Sequence, residues 1–170
     1  MAGFDYVANL DAVINALKNY NTTTASPDLS GSLTTRLVDG NIQKGDPSIS
    51  AVRQDRLPAV FVRVSNASEN FSAIGATGPT KNRKEKNVVY DIFAMYQKEG
   101  ANQSYSGVLD SIGKLCQNIE AVFQAEFQLS NTALWCQVRT TTIANVPLDA
   151  QGVTWVKTAM LELEAKYFFR

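Results

Sequence analysis

The chain contains no histidine at all. Histidine is the commonest zinc ligand, the most used general base and the usual partner of a serine or cysteine nucleophile, so its absence removes most hydrolase and metalloenzyme readings. Cysteine is almost as scarce. Cys116 and Cys136 each sit in an apolar pattern where a small buried hydrophobe fits, so free thiols in a reducing compartment are expected rather than a disulfide. Charge is sparse and balanced, with 19% charged residues and sixteen Lys plus Arg against sixteen Asp plus Glu. That balance lacks the basic excess of a domain that binds nucleic acid along one face. No run of about 18 apolar residues occurs, and the opening "MAGFDYVANLDAV" has no basic segment followed by an apolar block. The expectation is a soluble, unsecreted chain with no membrane partner and no cofactor.

What is present is 170 residues with 45% apolar content. That is enough for a single domain over residues 1–170 that buries roughly 70% of its unfolded surface. In "FDYVANLDAVINALKNY", Phe4, Val7, Leu10, Ile14 and Leu17 fall at helical spacing, with Asp5 placed to cap the start. Residues 21–56 are polar and rich in turn signals, including Asp39-Gly40 and Gly45-Asp46-Pro47. They read as a surface excursion, with a short helix in "SPDLSGSLTTRLV" capped by Ser26. "LPAVFVRVS" alternates as a strand with Pro58 at its beginning.

Residues 66–87 hold Gly75, Gly78 and Pro79 without a period, and read as a long mobile loop. "VVYDIFAMY" follows as a strand apolar on both faces, hence central in its sheet. "SGVLDSIGKLCQNIEAVFQAEF" carries the cleanest helical stripe, from Val108 through Ile112, Leu115, Cys116 and Ile119 to Phe123. "LWCQVRTTTI" and "VTWVKTAMLELEAKYFF" are strands, the latter by strict alternation. The order predicts an α+β fold, a mainly antiparallel sheet of four to five strands covered by two main helices, with one long inter-strand loop.

Three features could carry function. "GATGPTK" has the glycines and lysine of a phosphate loop but leads into a strand rather than opening a helix, so nucleotide binding is not expected. Glu162 and Glu164 point the same way from one strand, about 7 Å apart. A carboxylate pair of that kind can serve catalysis when burial raises one pKa, yet a Glu-x-Glu-x-Lys row more commonly forms a solvated face or an intersubunit charge patch. Lys81, Arg83, Lys84 and Lys86 crowd the end of the long loop, with Glu85 the acid among them. They keep a strand end solvated, dock on an acidic protein surface or, third in order, meet a DNA phosphate backbone. Four glycosylation sequons, at Asn21, Asn66, Asn70 and Asn102, are expected to be accidents of composition.

The whole arrangement resembles the tail terminator, or tail completion, proteins of long-tailed bacteriophages. The likeness runs through the N-terminal amphipathic helix, "LPAVFVRV", the long loop, "VVYDIFAMY", "VLDSIGKLCQNIEAVF" and the closing "MLELEAKYFF". It implies a structural protein rather than an enzyme, at the head-proximal end of the virion tail after assembly in the host cytoplasm. The implied assembly is a hexameric ring of this chain that caps the tail tube protein, stops its polymerisation and meets a head-tail connector protein, with DNA only passing through. Under that likeness residues 66–87 would be a mobile arm that contacts the tube or a neighbouring subunit, and Lys81, Arg83, Lys84, Lys86, Glu162 and Glu164 would be interaction residues. The competing readings are another connector or neck protein of the same virion, and a small enzyme using Glu162 and Glu164.

Overall fold

A computed structural model describes residues 4–33, 35–47, 57–71, 84–96, 105–147 and 155–169. The chain forms helix α1 (Tyr6–Asn19), a 3-10 turn (Asp39–Asn41), strands β1 (Ile42–Lys44), β2 (Ala59–Phe71) and β3 (Lys84–Tyr96), helix α2 (Tyr105–Ala125), and strands β4 (Trp135–Pro147) and β5 (Trp155–Phe169). The fold is α+β, a five-stranded mixed sheet with two helices. Its strand order is β1-β2-β3-β5-β4, which puts β3 in the centre. β1 runs parallel to β2, whereas β2 with β3, β3 with β5, and β5 with β4 are antiparallel.

Helix α1 starts where the sequence predicts it. Asp5 accepts hydrogen bonds from the backbone amides of Val7 and Ala8 at 3.0 and 2.9 Å, satisfying two donors that the first turn leaves free. Its buried stripe is shifted from the expected one: Val13, Ile14, Ala16 and Leu17 face the sheet, while Val7 is exposed. Helix α2 buries Ile112, Leu115, Cys116, Ile119, Val122 and Phe123. Both stripes join one apolar cluster with Val60, Val62, Val88, Tyr90, Ile92, Leu161 and Leu163. The helices therefore lie on the same side of the sheet, and among the described residues the other side receives no helix.

Of the surface excursion expected over 21–56, residues 48–56 lie outside the described residues, and residues 21–33 and 35–47 differ from it. Leu29 and Leu37 are fully buried, and Ile42 enters the core from β1. No helix forms between Ser26 and Leu33 because side chains from elsewhere take the backbone groups that a helix would use. Asn118 of α2 donates to the carbonyls of Leu29 and Gly31 at 3.0 and 2.7 Å. Asn21, itself buried, donates to the carbonyl of Leu37 and accepts from the Ser30 hydroxyl. Asp28 is forked by Arg36 at 2.9 and 3.1 Å. Polar residues here clamp the chain onto the core, and their polarity is what made the segment read as a loop. A buried Asn21 is also no accessible glycosylation site.

The expected loop over residues 66–87 is shortened from both ends. β2 continues to Phe71 and β3 begins at Lys84, pairing Asn66 with Val89 and Phe71 with Lys84. A bulge between Val64 and Asn66 breaks the alternation, and the strands beyond it are polar, so their period was hidden. Residues 72–83, with "GATGPTK", Lys81 and Arg83, lie outside the described residues. Among the described residues no helix is long and apolar enough to cross a membrane.

Two outcomes follow from this packing. Leu29→Ala and Leu37→Ala should each cost about 2–5 kcal/mol in urea unfolding, whereas Val38→Ala, at an exposed position, should change stability by less than about 0.5 kcal/mol. Three equally small effects would return the segment to the surface.

The second outcome concerns pH. The hydroxyls of Tyr90 and Tyr167 bond to each other at 2.8 Å inside the core. Burial pushes the Tyr90 phenol up to about 12 and the Tyr167 phenol higher, and burial likewise pushes the free thiols of Cys116 and Cys136 up to about 11 and about 12. In each case the folded chain holds its proton more tightly than the unfolded chain. The corresponding stability is complete below the ordinary values of 9.0 for thiols and 10.0 for phenols, and is lost as pH rises toward 12. Melting temperature should hold level up to about pH 9 and then fall steeply. With both cysteines replaced by alanine, the alkaline fall should begin about one pH unit later, at the tyrosine range.

Candidate interaction face

Period-two alternation in four long strands sends one set of side chains to the helices and the other to the uncovered face. The register orders that second set into rows. Phe61, Phe93, Met160 and Thr142 form one row from β2 across β3 and β5 to β4; Arg63, Asp91, Glu162 and Thr140 form the next. Asn66, Val89, Glu164 and Gln137 follow, and then Ser68, Asn87, Lys166 and Trp135. The face thus passes from an apolar end, where Ala59, Met95, Val156 and Leu57 make a small buried cluster, into a charged middle.

The charges in that middle are arranged in pairs. Arg63 holds Asp91 through Nε at 2.9 Å and Nη2 at 2.8 Å, and its other nitrogen pairs with Asp46. The Asp91 side chain is only 4% exposed, and the Arg63 guanidinium lies 5.1 Å from the Phe93 ring centre, so one face of the cation rests on an aromatic ring. Glu164 is 7% exposed and pairs with Arg139. Arg139 is the residue that the bulge between Val138 and Thr140 leaves out of register, which is what turns it toward Glu164. Lys166 pairs with Glu85 at 2.7 Å. Glu162 lies half-buried between these pairs, opposite Asp91, with no cation of its own among the described residues.

No family model matches the chain, and no curated protein is significantly similar to it.

The sequence-predicted residues are therefore divided. Glu162 and Glu164 do share one face, but they differ in state: Glu164 is nearly buried and tied to Arg139, not a member of a solvated row, while Glu162 remains partly open. Lys84 and Lys86 are not on a loop. Both lie on β3, on the side that carries the helices, and both reach Glu69 of β2, at 2.9 and 3.8 Å. Lys86 is further enclosed by α1's leading residues, 5.1 Å from the Phe4 ring centre and 4.8 Å from that of Tyr6, and its side chain is 12% exposed. Phe4 in turn meets Tyr167 edge-on at 5.2 Å. Lys86 thus fastens the N-terminus of α1 to the sheet, a structural use that leaves it poorly placed for docking.

Arg63, Asp91 and Arg139 went unnoticed in the sequence. Asp91 carried a signal, as the lone acid in the otherwise apolar stretch "VVYDIFAMY" of β3; Arg139 carried none, because the bulge disrupts the alternation that would have assigned its side. Among the described residues no group of three acids or cysteines could hold a metal ion.

The two glutamates should separate on mutation. Glu164→Gln removes a charged partner from a nearly buried pair and should lower unfolding free energy by about 1.5–3 kcal/mol. Glu162→Gln should leave it within about 0.5 kcal/mol. Equal losses in chemical denaturation would mean that the face treats both carboxylates alike.

Proposed function

We propose that this chain is a structural protein of virion assembly, a tail terminator that forms a ring, caps a tail tube and joins it to the head. The observation that carries the reading is the sheet face without a helix. It combines half-buried Phe61, Phe93, Met160 and Phe168 with acid–base pairs whose carboxylates are nearly buried, a surface of the kind that extended protein contacts use. Its rows run across four strands and make a broad surface rather than a concave pocket, and this favours assembly over turnover. Within the reading, the partly open Glu162 offers one acid to a basic group on a neighbouring subunit or on the tube, and Glu164 with Arg139 fixes the face's shape. The chain would act at the head-proximal end of the tail after ring formation in the host cytoplasm, with no catalytic step.

Electron microscopy of the purified protein, alone and with tail tubes, tests the reading. Expected are six-fold rings, or rings seated on tube ends, with tubes no longer growing once capped. Glu162→Lys should leave the monomer's melting temperature unchanged and weaken ring or tube binding, most at low salt, since exposed charges are screened within about 8 Å at physiological ionic strength. A chain that stays monomeric in sedimentation and never decorates tubes is not a terminator.

A further inference from the structure

A second surface lies at the β4 edge of the sheet, where the last turn of α2 meets the start of β4. A cleft of about 370 Å³ opens there, walled by Phe123, Phe127, Trp135 and Val138, with Glu120 and Gln124 on its rim. Phe127 is 51% exposed, unusual for a phenylalanine.

The electrostatics of the cleft have one sign. Glu120 is its charged residue; no lysine or arginine lines it. The Glu120 carboxylate accepts a hydrogen bond from the Thr141 hydroxyl at 2.9 Å and has no ion pair among the described residues. The last turn of α2 contains no basic residue, so the negative end of that helix's dipole is left uncompensated beside the cleft. Glu126 follows directly, its carboxylate accepting from the Ser130 amide and hydroxyl. The nearest base along β4, Arg139, is committed to Glu164 on the uncovered face. Aromatic walls under a negative field select a cation with a flat or apolar body.

The position of the cleft says how such a cation would arrive. β4 is the outermost strand of the sheet, and its residues 139–144 are exposed. Nearest the cleft the edge is guarded: the Cys136 amide already donates to the Phe127 carbonyl at 2.7 Å, and Arg139 sits at the bulge between Val138 and Thr140. Beyond that bulge Thr140 to Ala144, "TTTIA", carry no formal charge and are rich in β-branched residues, so this part of the edge lacks the charges that usually keep a strand edge from pairing. We infer that the cleft receives an arginine or lysine side chain from a partner protein whose extended segment lies along the edge of β4. The backbone of that segment adds a strand, and its basic side chain enters between Phe127, Trp135 and Glu120. The inference does not rest on the ring reading, although Trp135 and Gln137, which line the cleft, also end two rows of the uncovered face.

Tryptophan fluorescence tests the inference directly, because Trp135 and Trp155 are the two tryptophans and Trp155→Phe leaves Trp135 as reporter. Three probes are titrated: an acetylated, amidated Thr-Val-Arg-Val-Thr peptide, the same peptide with neutral citrulline for arginine, and N-acetylarginine amide. The arginine peptide should change Trp135 emission saturably and bind at least about fivefold tighter than either comparator, as expected for a partly desolvated cation–π and carboxylate contact. Glu120→Gln should erase the difference between arginine and citrulline peptides, and Phe127→Ala, at an exposed position, should weaken the arginine peptide about two- to fivefold with an unchanged melting temperature. Equal binding of the arginine and citrulline peptides, or no saturable response, overturns the inference. N-acetylarginine amide binding as tightly as the peptide would make this a site for free organic cations and overturn the partner-strand assignment. Sedimentation and microscopy of the same variants report on ring formation separately.

Discussion

A sheet whose described helices both lie on one side imposes two incompatible demands on each strand, and β3 and β5 have to meet both at every second residue. Tyr90, Ile92, Leu161, Leu163 and Tyr167 fill the helix side without exposed surface, while Asp91, Glu162, Glu164 and Lys166 alternate with them toward the other. In a central strand the neighbours on both sides shade even the uncovered face, so carboxylates placed there lose water. Burying an ionised carboxylate costs several kcal/mol unless a partner and hydrogen bonds replace its hydration. Arg63 and Arg139 are the replacement, one from β2 and one from β4, each reaching inward from a strand nearer the edge. The guanidiniums stay partly exposed, so the pairs avoid the cost of desolvating both ions.

The same demand explains the bulges. In β4 the extra residue between Val138 and Thr140 shifts the register by one, which lets Arg139 face Glu164 while Val138 still faces the core and Thr140 still meets Glu162. In β2 the bulge between Val64 and Asn66 sits where the apolar part of the strand gives way to the polar part that pairs with Lys84–Val89. Both irregularities occur on the strands flanking the central pair, where local twist can be absorbed without disturbing β3 and β5.

These facts also set what the sequence could disclose. The two helices, the four long strands and the central place of β3 were legible because their periods are carried by apolar residues that the core requires. The Asp5 cap was legible because its geometry is local. Residues 21–42 were not, since Leu29, Leu37 and Ile42 are single anchors among polar residues whose role, clamping backbone through Asn21, Asp28 and Asn118, depends on partners as far as 89 positions away. The ends of β2 and β3 were hidden for the converse reason: paired strands whose outward side chains are polar have no hydrophobic period to show. Of the candidate site, Glu162 and Glu164 were visible as a pair, but their different states come from Arg139, and a bulge cannot be read from alternation that it interrupts. Lys86 looked like part of a basic loop because its partners, Phe4, Tyr6 and Glu69, lie in two other elements.

The two candidate contact surfaces differ in the physics that each can offer. On the uncovered face, most acids already have internal bases, so a partner there would gain less from new ion pairs than from shape, the half-buried Phe61, Phe93 and Met160, and Glu162, which has no cation among the described residues. Specificity on such a face is a matter of register, because a shift by one row sets like charges opposite one another. At the β4 edge the balance is reversed. Glu120 and the end of α2 present a field with no base among the residues that line the cleft, and the strand edge supplies backbone groups rather than a pattern of side chains. Contact there depends on one cation and an extended backbone, and so tolerates variation in the rest of the partner. On the proposed reading, a protein that packs rigidly against equivalent neighbours and also accepts a differently built one uses two kinds of surface: rows across the sheet's face for the first and the strand edge for the second, with Trp135 and Gln137 where the two meet.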